Sequence, residues 1–135
     1  MAMKRHKASC HCGAVKVELD FDTAAPTSRC NCSICSKTRW WGANVKLDAV
    51  RALSGEENTF VYSWGSKSIA LHICKTCGIR LYGRGDIPQL GGKFFAFNVA
   101  CLDDVSDEAF AAIPVRVCNG RDNDWMHEPK ITAYL

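Results

Sequence analysis

The chain has 135 residues, a hydrophobic share of 47% and a formal net charge of +3. This length predicts one domain, residues 1–135, with a modest core of the kind that a metal or crosslink often supports. The charge is too small to argue for a nucleic-acid partner. No apolar stretch has the length of a signal peptide or approaches the roughly 20 residues of a membrane helix, so we expect a cytoplasmic protein with no membrane association.

Apolar and polar residues alternate with a period of two along much of the chain, which predicts a mainly β fold. The first clear case is 15–21, where valine, leucine and phenylalanine alternate with lysine and acidic residues. The apolar run at 94–100 is typical of a strand covered on both faces. Other strands are predicted at 43–47, 60–64, 68–73, 79–82 and 115–117, with Gly65 in a turn and a glycine-rich loop at 83–92.

One short helix is predicted before the last strand. Ser106 is a suitable N-cap, and Asp107 and Glu108 suit the positive end of the helix dipole in the first turn. Pro114 prevents the helix from continuing.

The nine cysteines carry the strongest chemical signal in the sequence. An odd number fits poorly with a complete disulfide framework, and clustered cysteines in a reducing compartment favour metal ligation. Seven of them fall in three tight clusters: Cys10 and Cys12; Cys30, Cys32 and Cys35; Cys74 and Cys77.

The first and third clusters each offer two thiolates followed by a glycine. Two plus two gives the four ligands of a closed tetrahedral zinc site, built from Cys10, Cys12, Cys74 and Cys77. A glycine after each pair suits the left-handed backbone that such turns often need. The alternative is a set of free thiols or a redox pair.

The second cluster, Cys30, Cys32 and Cys35, supplies three thiolates and leaves a fourth position open, as in catalytic zinc sites. Zinc with three thiolates has a formal charge of −1, which makes it a weak activator of water but a good partner for an external thiol. Zinc-bound sulfur can stay nucleophilic. Alternatively, Cys101, Cys118 or a histidine closes the site and makes it structural, or the thiols are empty or oxidised.

The residues outside these clusters give weaker signals. Cys101 and Cys118 lie in apolar segments and are expected to be small buried side chains. The two tryptophans after the second cluster, Trp40 and Trp41, either wall a pocket or pack in the core. For His11 and His72, which flank predicted ligands, exposure or packing is expected rather than ligation.

The order Cys-x-Cys-Gly, Cys-x-Cys-x-x-Cys and Cys-x-x-Cys-Gly resembles the glutathione-dependent formaldehyde-activating enzyme family. The resemblance runs from about Cys10 to Trp125 and departs locally at Cys101 and at Trp40-Trp41. Shorter matches accompany the cysteines at Gly13-Ala14-Val15, Ser54-Gly55-Glu56, Leu102-Asp103-Asp104 and the closing stretch from Asn119 to Trp125.

The resemblance implies a β-tent fold of small packed sheets around a structural zinc on Cys10, Cys12, Cys74 and Cys77. It also implies a second, labile zinc on Cys30, Cys32 and Cys35, which would be the catalytic cysteines. The implied reaction is that of a carbon–sulfur lyase, the reversible addition of glutathione to formaldehyde. Candidates for proton handling or anion contact are Asn31, Ser33, Lys37 and Arg39.

Two functional hypotheses follow. The leading one is a zinc-dependent enzyme acting on an adduct of an aldehyde with a small thiol, with glutathione as the expected thiol. The other is a non-catalytic module that binds zinc or glutathione. A nucleic-acid-binding zinc ribbon is disfavoured because the basic residues are scattered and not interleaved with aromatic residues.

Overall fold

A computed structural model describes residues 3–135, and most of the regular secondary structure within them is β-strand. The two short α-helices are α1 (Ser33–Thr38) and α2 (Asp107–Ala112). The strands are β1 (Lys4–Ser9), β2 (Lys16–Phe21), β3 (Thr27–Cys30), β4 (Gly42–Val45), β5 (Val50–Ser54), β6 (Thr59–Tyr62), β7 (Ile69–Cys74), β8 (Arg80–Ile87), β9 (Gly92–Asn98) and β10 (Val115–Cys118).

The strands form two sheets. The smaller has the order β1-β2-β5, and the larger has the order β10-β3-β4-β9-β8-β7-β6. Every pairing is antiparallel except that of β10 with β3, which is parallel. The prediction of a mainly β fold built from small, packed antiparallel sheets is therefore confirmed.

The main core lies between the two sheets. From the small sheet, Val17 and Leu19 point inward and are 2% and 0% exposed, as the alternation predicts. Phe21 meets Phe97 of the large sheet edge to face, with ring centroids 5.0 Å apart. This contact between aromatic rings joins the two sheets across the core.

A second, smaller apolar cluster forms around three buried residues, Trp40, Phe94 and Ala96. Because side chains alternate along a strand, neighbouring phenylalanines of β9 serve different clusters: Phe94 belongs to this one, and Phe95 belongs to the main core. The apolar run in this segment is thus covered on both faces, as predicted.

The structure differs from the sequence-based expectation at several places. Three of its strands, β1, β3 and β5, were not predicted. The predicted loop at 83–92 is wrong in its first half, because β8 continues to Ile87 and pairs with both β7 and β9. The prediction of one helix found α2, whose N-cap Ser106 Oγ accepts a hydrogen bond of 3.1 Å from the backbone N–H of Ala109. It missed α1, a six-residue helix with no capping side chain and no acidic residue in its first turn.

Within residues 3–135, no helix combines the length and apolar character needed to cross a lipid bilayer.

Candidate metal centres

The first and third cysteine clusters fold into two similar turns. Cys10 directly follows β1, at the start of the β1–β2 turn, and its N–H donates to the carbonyl of Val15. The N–H of Cys74, at the end of β7, donates in the same way to the carbonyl five residues on, that of Ile79. Each turn contains a glycine with positive φ, +81° at Gly13 and +76° at Gly78, as predicted.

These turns bring four sulfur atoms together. The ligand atoms of Cys10, Cys12, Cys74 and Cys77 all lie within 4.8 Å of one another. Cys12 Sγ is 3.7 Å from Cys10 Sγ and 3.6 Å from Cys74 Sγ. Zinc–sulfur bonds of 2.3 Å in a tetrahedron require sulfur atoms about 3.8 Å apart, so the spacing fits a zinc ion with four thiolate ligands.

The surroundings of these thiols favour anionic sulfur at some positions and disfavour it at others. Backbone N–H groups of Cys77 and Thr76 lower the pKa of Cys74 to about 6. The N–H of Ala14 also lowers the pKa of Cys12, but burial and the neighbouring thiols outweigh it and raise the value to about 11. A divalent cation would relieve this crowding, so the electrostatics of the four thiols are consistent with a metal ion.

The cluster links the two sheets. Cys10 and Cys12 belong to the β1–β2 hairpin of the small sheet, and Cys74 and Cys77 belong to the β7–β8 hairpin of the large one. Cys10 and Cys74 are 3% and 1% exposed, whereas Cys12 is exposed. Two N–H···S hydrogen bonds support the buried sulfurs, from Val15 N to Cys10 and from Asn58 Nδ2 to Cys74.

The second cluster lies at the junction of β3 and α1. Cys30 is the last residue of β3, Cys32 is the N-cap of α1, and Cys35 lies within that helix. The backbone N–H of Cys32 donates to Cys30 Sγ at 3.5 Å. Among the described residues, only the four-cysteine cluster brings three or more candidate ligand atoms within 4.8 Å, so these three thiols form a looser group.

The three thiols nevertheless influence one another strongly. The neighbouring thiols of Cys32 and Cys35 lower the pKa of Cys30 to about 2. The same interactions raise the pKa of Cys35. The group therefore favours a thiolate at Cys30, and its donor set is one that zinc accepts.

The segment after β10 covers this second cluster. Asn31 is 5% exposed; its Nδ2 donates to Asn119 Oδ1 at 2.8 Å, and its Oδ1 accepts from the N–H of Arg121 at 3.0 Å. Gly120 lies so close that a Cβ there would be 2.7 Å from Cys30 Sγ and 2.9 Å from the Trp125 ring. Part of the closing stretch that carries the family resemblance thus packs on Cys30 and Cys32.

The remaining cysteines lie outside both groups of thiols. Cys101 packs against the main core, and burial raises the pKa of its thiol to about 12. Cys118 ends β10 in register with Cys30, and burial raises the pKa of its thiol also.

The other predicted candidates are dispersed. His11 is exposed, whereas His72 is buried and stacks on Tyr82 with ring centroids 4.7 Å apart. Arg39 follows α1, and its Nη1 donates to the carbonyl of Tyr134 at 2.9 Å. Ser33 and Lys37 are exposed.

The two tryptophans have separate roles. Trp40 is 9% exposed and forms the second apolar cluster, against which Cys35 packs. Trp41 packs on the main core, and its Nε1 donates to Thr27 Oγ1 at 2.7 Å. Arg80, which the sequence did not single out, lies over the Trp40 ring with its Cζ 3.7 Å from the centroid.

A family model described as glutathione-dependent formaldehyde-activating enzyme matches residues 5–117 of the chain. The chain belongs to this family. The match includes all seven clustered cysteines and ends two residues before Asn119.

Two curated proteins that carry the family's name are similar to the chain. One, from Halomonas elongata, is 33% identical over 84 residues, which cover 56% of this chain and 54% of that protein. The other, from Phaeosphaeria nodorum, is 30% identical over 118 residues, covering 81% and 60% respectively. The chain thus spans little more than half the length of these relatives.

A solved structure also resembles the chain. The crystal structure of a Rhodobacter sphaeroides protein superposes with a TM-score of 0.67 at 30% sequence identity. The superposition covers 82% of this chain and 99% of the other.

Proposed function

We propose that the chain is a zinc-dependent enzyme of the carbon–sulfur lyase type, which acts on the adduct of glutathione, or a similar small thiol, with an aldehyde. The reaction implied by the family is the addition of a thiol to formaldehyde. The thiol sulfur bonds to the carbonyl carbon, the C=O π pair takes up the proton that the thiol loses, and a hydroxymethyl thioether results. The exchange is redox-neutral and needs no other reactant.

The four-cysteine cluster is assigned a structural role. Its ligands come two from each sheet, and their spacing fits zinc, so metal binding would hold the two hairpins together. A closed set of four thiolates has no position for a substrate. The reaction is therefore assigned to Cys30, Cys32 and Cys35.

The observation that carries the assignment is the placement of these three cysteines at the junction of β3 and α1, in a chain that belongs to this family. A zinc ion held by the three would supply a thiophilic centre with room for one external thiolate. The buried pair Asn31–Asn119 holds the covering segment against β3. Gly120 leaves its side-chain position empty, which allows that segment to approach Cys30 closely.

The direct test measures formation of the glutathione–formaldehyde adduct by NMR exchange spectroscopy, using reduced protein that contains two zinc ions per chain. We expect acceleration over the spontaneous reaction, loss of this acceleration in C32S, and unchanged folding of that variant. An absence of acceleration by the wild-type protein would refute the lyase assignment.

C118S is the matched control, because Cys118 lies beside Cys30 in the sheet but outside the group of three. It should retain the acceleration and both zinc ions. If C118S loses the second zinc instead, Cys118 is a fourth ligand and the site is structural.

The alternative is a non-catalytic module that binds zinc or glutathione. It is favoured by one finding, that within residues 3–135 the thiols of Cys30, Cys32 and Cys35 do not bring three ligand atoms within 4.8 Å of one another. Calorimetry separates the two functions: the module predicts saturable heat of glutathione binding without any change in rate. No heat with the zinc-loaded protein would exclude glutathione under either function.

A further inference from the structure

Arg80 carries a charge that no carboxylate balances. It is the first residue of β8, and its Nε and Nη1 are buried without any hydrogen-bond partner. A guanidinium stays protonated in proteins, and burying an unpaired charge is costly. Among the ion pairs formed within residues 3–135, none involves Arg80. The described residues therefore give this guanidinium no carboxylate partner.

The indole of Trp40 holds the guanidinium in place. Arg80 Cζ is 3.7 Å from the ring centroid, a close cation–π contact. Gly42 also lies close to the indole, and a Cβ there would come within 2.1 Å of Trp40 Nε1. A side chain at this position would displace the ring, so glycine at the start of β4 allows the ring to support Arg80.

One residue of the second cysteine cluster lies close to this contact. Cys35 packs against the apolar cluster that contains Trp40. Burial lowers the pKa of Arg80, and the groups that oppose this effect are Cys35 and Cys32.

The formal charges agree with this placement. Three thiolates and one Zn²⁺ leave a net charge of −1, and one guanidinium brings the sum to zero. Because Nε and Nη1 are buried, they cannot bind the carboxylates of a ligand in solution. The available anion is the cysteine cluster itself.

We propose that Arg80, supported by Trp40, is the counter-charge of the second cysteine cluster, a positioning residue that stabilises Cys30, Cys32 and Cys35 as zinc ligands. The proposal rests on the part of the proposed function that gives these three cysteines a zinc ion. It does not depend on the identity of the substrate or on catalysis.

The test measures zinc affinity in the full chain, by competition with a chromophoric chelator, for wild type, R80M and R80K. Loss of the charge in R80M should weaken the second zinc by about tenfold or more, since breaking a buried charge pair is strongly destabilising. R80K keeps the charge and should stay within about threefold of wild type, although it loses the planar stacking. The first zinc should remain bound in all variants and reports that the chain is folded.

R84M is the matched control. Arg84 lies on the same strand and is half-buried, but it pairs with Glu56 and not with the cysteines. It removes the same charge from the protein and should leave the second zinc unchanged. If R80M does not fold, R80Q replaces it as the neutral variant.

Equal affinities of R80M and R84M for the second zinc would overturn the proposal, as would a wild-type protein that binds one zinc only. Activity is a separate outcome. If the wild-type protein holds two zinc ions but does not accelerate adduct formation, the lyase assignment is refuted. A zinc-binding defect confined to the second site of R80M would still support the role of Arg80.

Discussion

Replacing Cys12 tests whether the four-cysteine cluster is a structural zinc site. Cys12 is the best position for this test because its side chain is exposed, whereas Cys10 and Cys74 are only 3% and 1% exposed. Serine at an exposed position leaves no cavity in the core. Any large loss of stability in C12S therefore reports the loss of a metal ligand and not of packing.

The expected magnitude follows from the free energy of zinc binding. Structural zinc contributes about 10–16 kcal/mol in small domains at neutral pH, so one ligand in four corresponds to roughly 3 kcal/mol. A typical domain has a net stability of only about 5–15 kcal/mol. C12S should therefore lose a large part of its stability, and its melting temperature should fall by roughly 10 °C.

The assay is thermal unfolding followed by far-UV circular dichroism, with reduced protein and with or without a zinc chelator. The chelator should lower the melting temperature of the wild-type protein by more than it lowers that of C12S. H11A is the control, because His11 is exposed in the same turn and is not a predicted ligand. Its stability should stay within about 0.5 kcal/mol of wild type.

Two results would refute this reasoning. One is a C12S protein that melts at the wild-type temperature, and the other is a wild-type protein that melts identically with and without chelator. Either would mean that the sulfur atoms, although correctly spaced, contribute no metal-binding energy to the fold.

Two further predictions concern residues outside the cysteines. G42A should displace the Trp40 ring, because the new Cβ would lie 2.1 Å from its Nε1, and should cost about 1–3 kcal/mol in denaturant unfolding; wild-type tryptophan fluorescence and stability would contradict this. For Glu56, hydrogen bonds from Tyr82 and from Arg84 lower the pKa of the carboxyl below its ordinary value of 4.5. The carboxylate thus stabilises the fold above that pH and loses its effect as the pH falls through its lowered pKa, so E56Q should be less stable than wild type at pH 7 and the difference should shrink in acid. A difference that does not depend on pH would show that the charge of Glu56 is irrelevant.

Local sequence patterns predicted much of the fold because they reflect local physics. The alternation in 15–21 predicted β2, since only one face of that strand meets the core. Ser106 and Pro114 predicted both ends of α2, because capping and the lost proline N–H act within one turn. The Cys-Gly pairs predicted the two turns that gather four sulfur atoms.

The glycines of β8 show where this local reasoning fails. Gly83 and Gly85 are typical of a loop, yet both lie in the middle of a strand. A Cβ at Gly83 would be 2.8 Å from the carbonyl oxygen of Ala70, and one at Gly85 would be 2.2 Å from the Phe94 ring. Glycine is required at both positions because atoms of the adjacent strands β7 and β9 approach the backbone of β8 too closely for a Cβ.

Helix α1 was missed for a related reason. Its sequence, Ser33 to Thr38, has no capping side chain and no acidic residue in the first turn. A six-residue helix is not stable by itself and depends on its surroundings. Here Cys35 packs against the Trp40 cluster, a contact that the sequence does not reveal.

The sequence by itself predicted the four-cysteine group, because two Cys-Gly pairs with two thiolates each make up the four ligands of one zinc ion, and the structure brings these four sulfur atoms together. It did not determine what surrounds the cysteines. Only the tertiary structure placed Gly120 on Cys30 and Arg80 over Trp40, residues separated by 90 and 40 positions along the chain. Charge balance and close approach depend on distances in space, and the folded sheets set those distances.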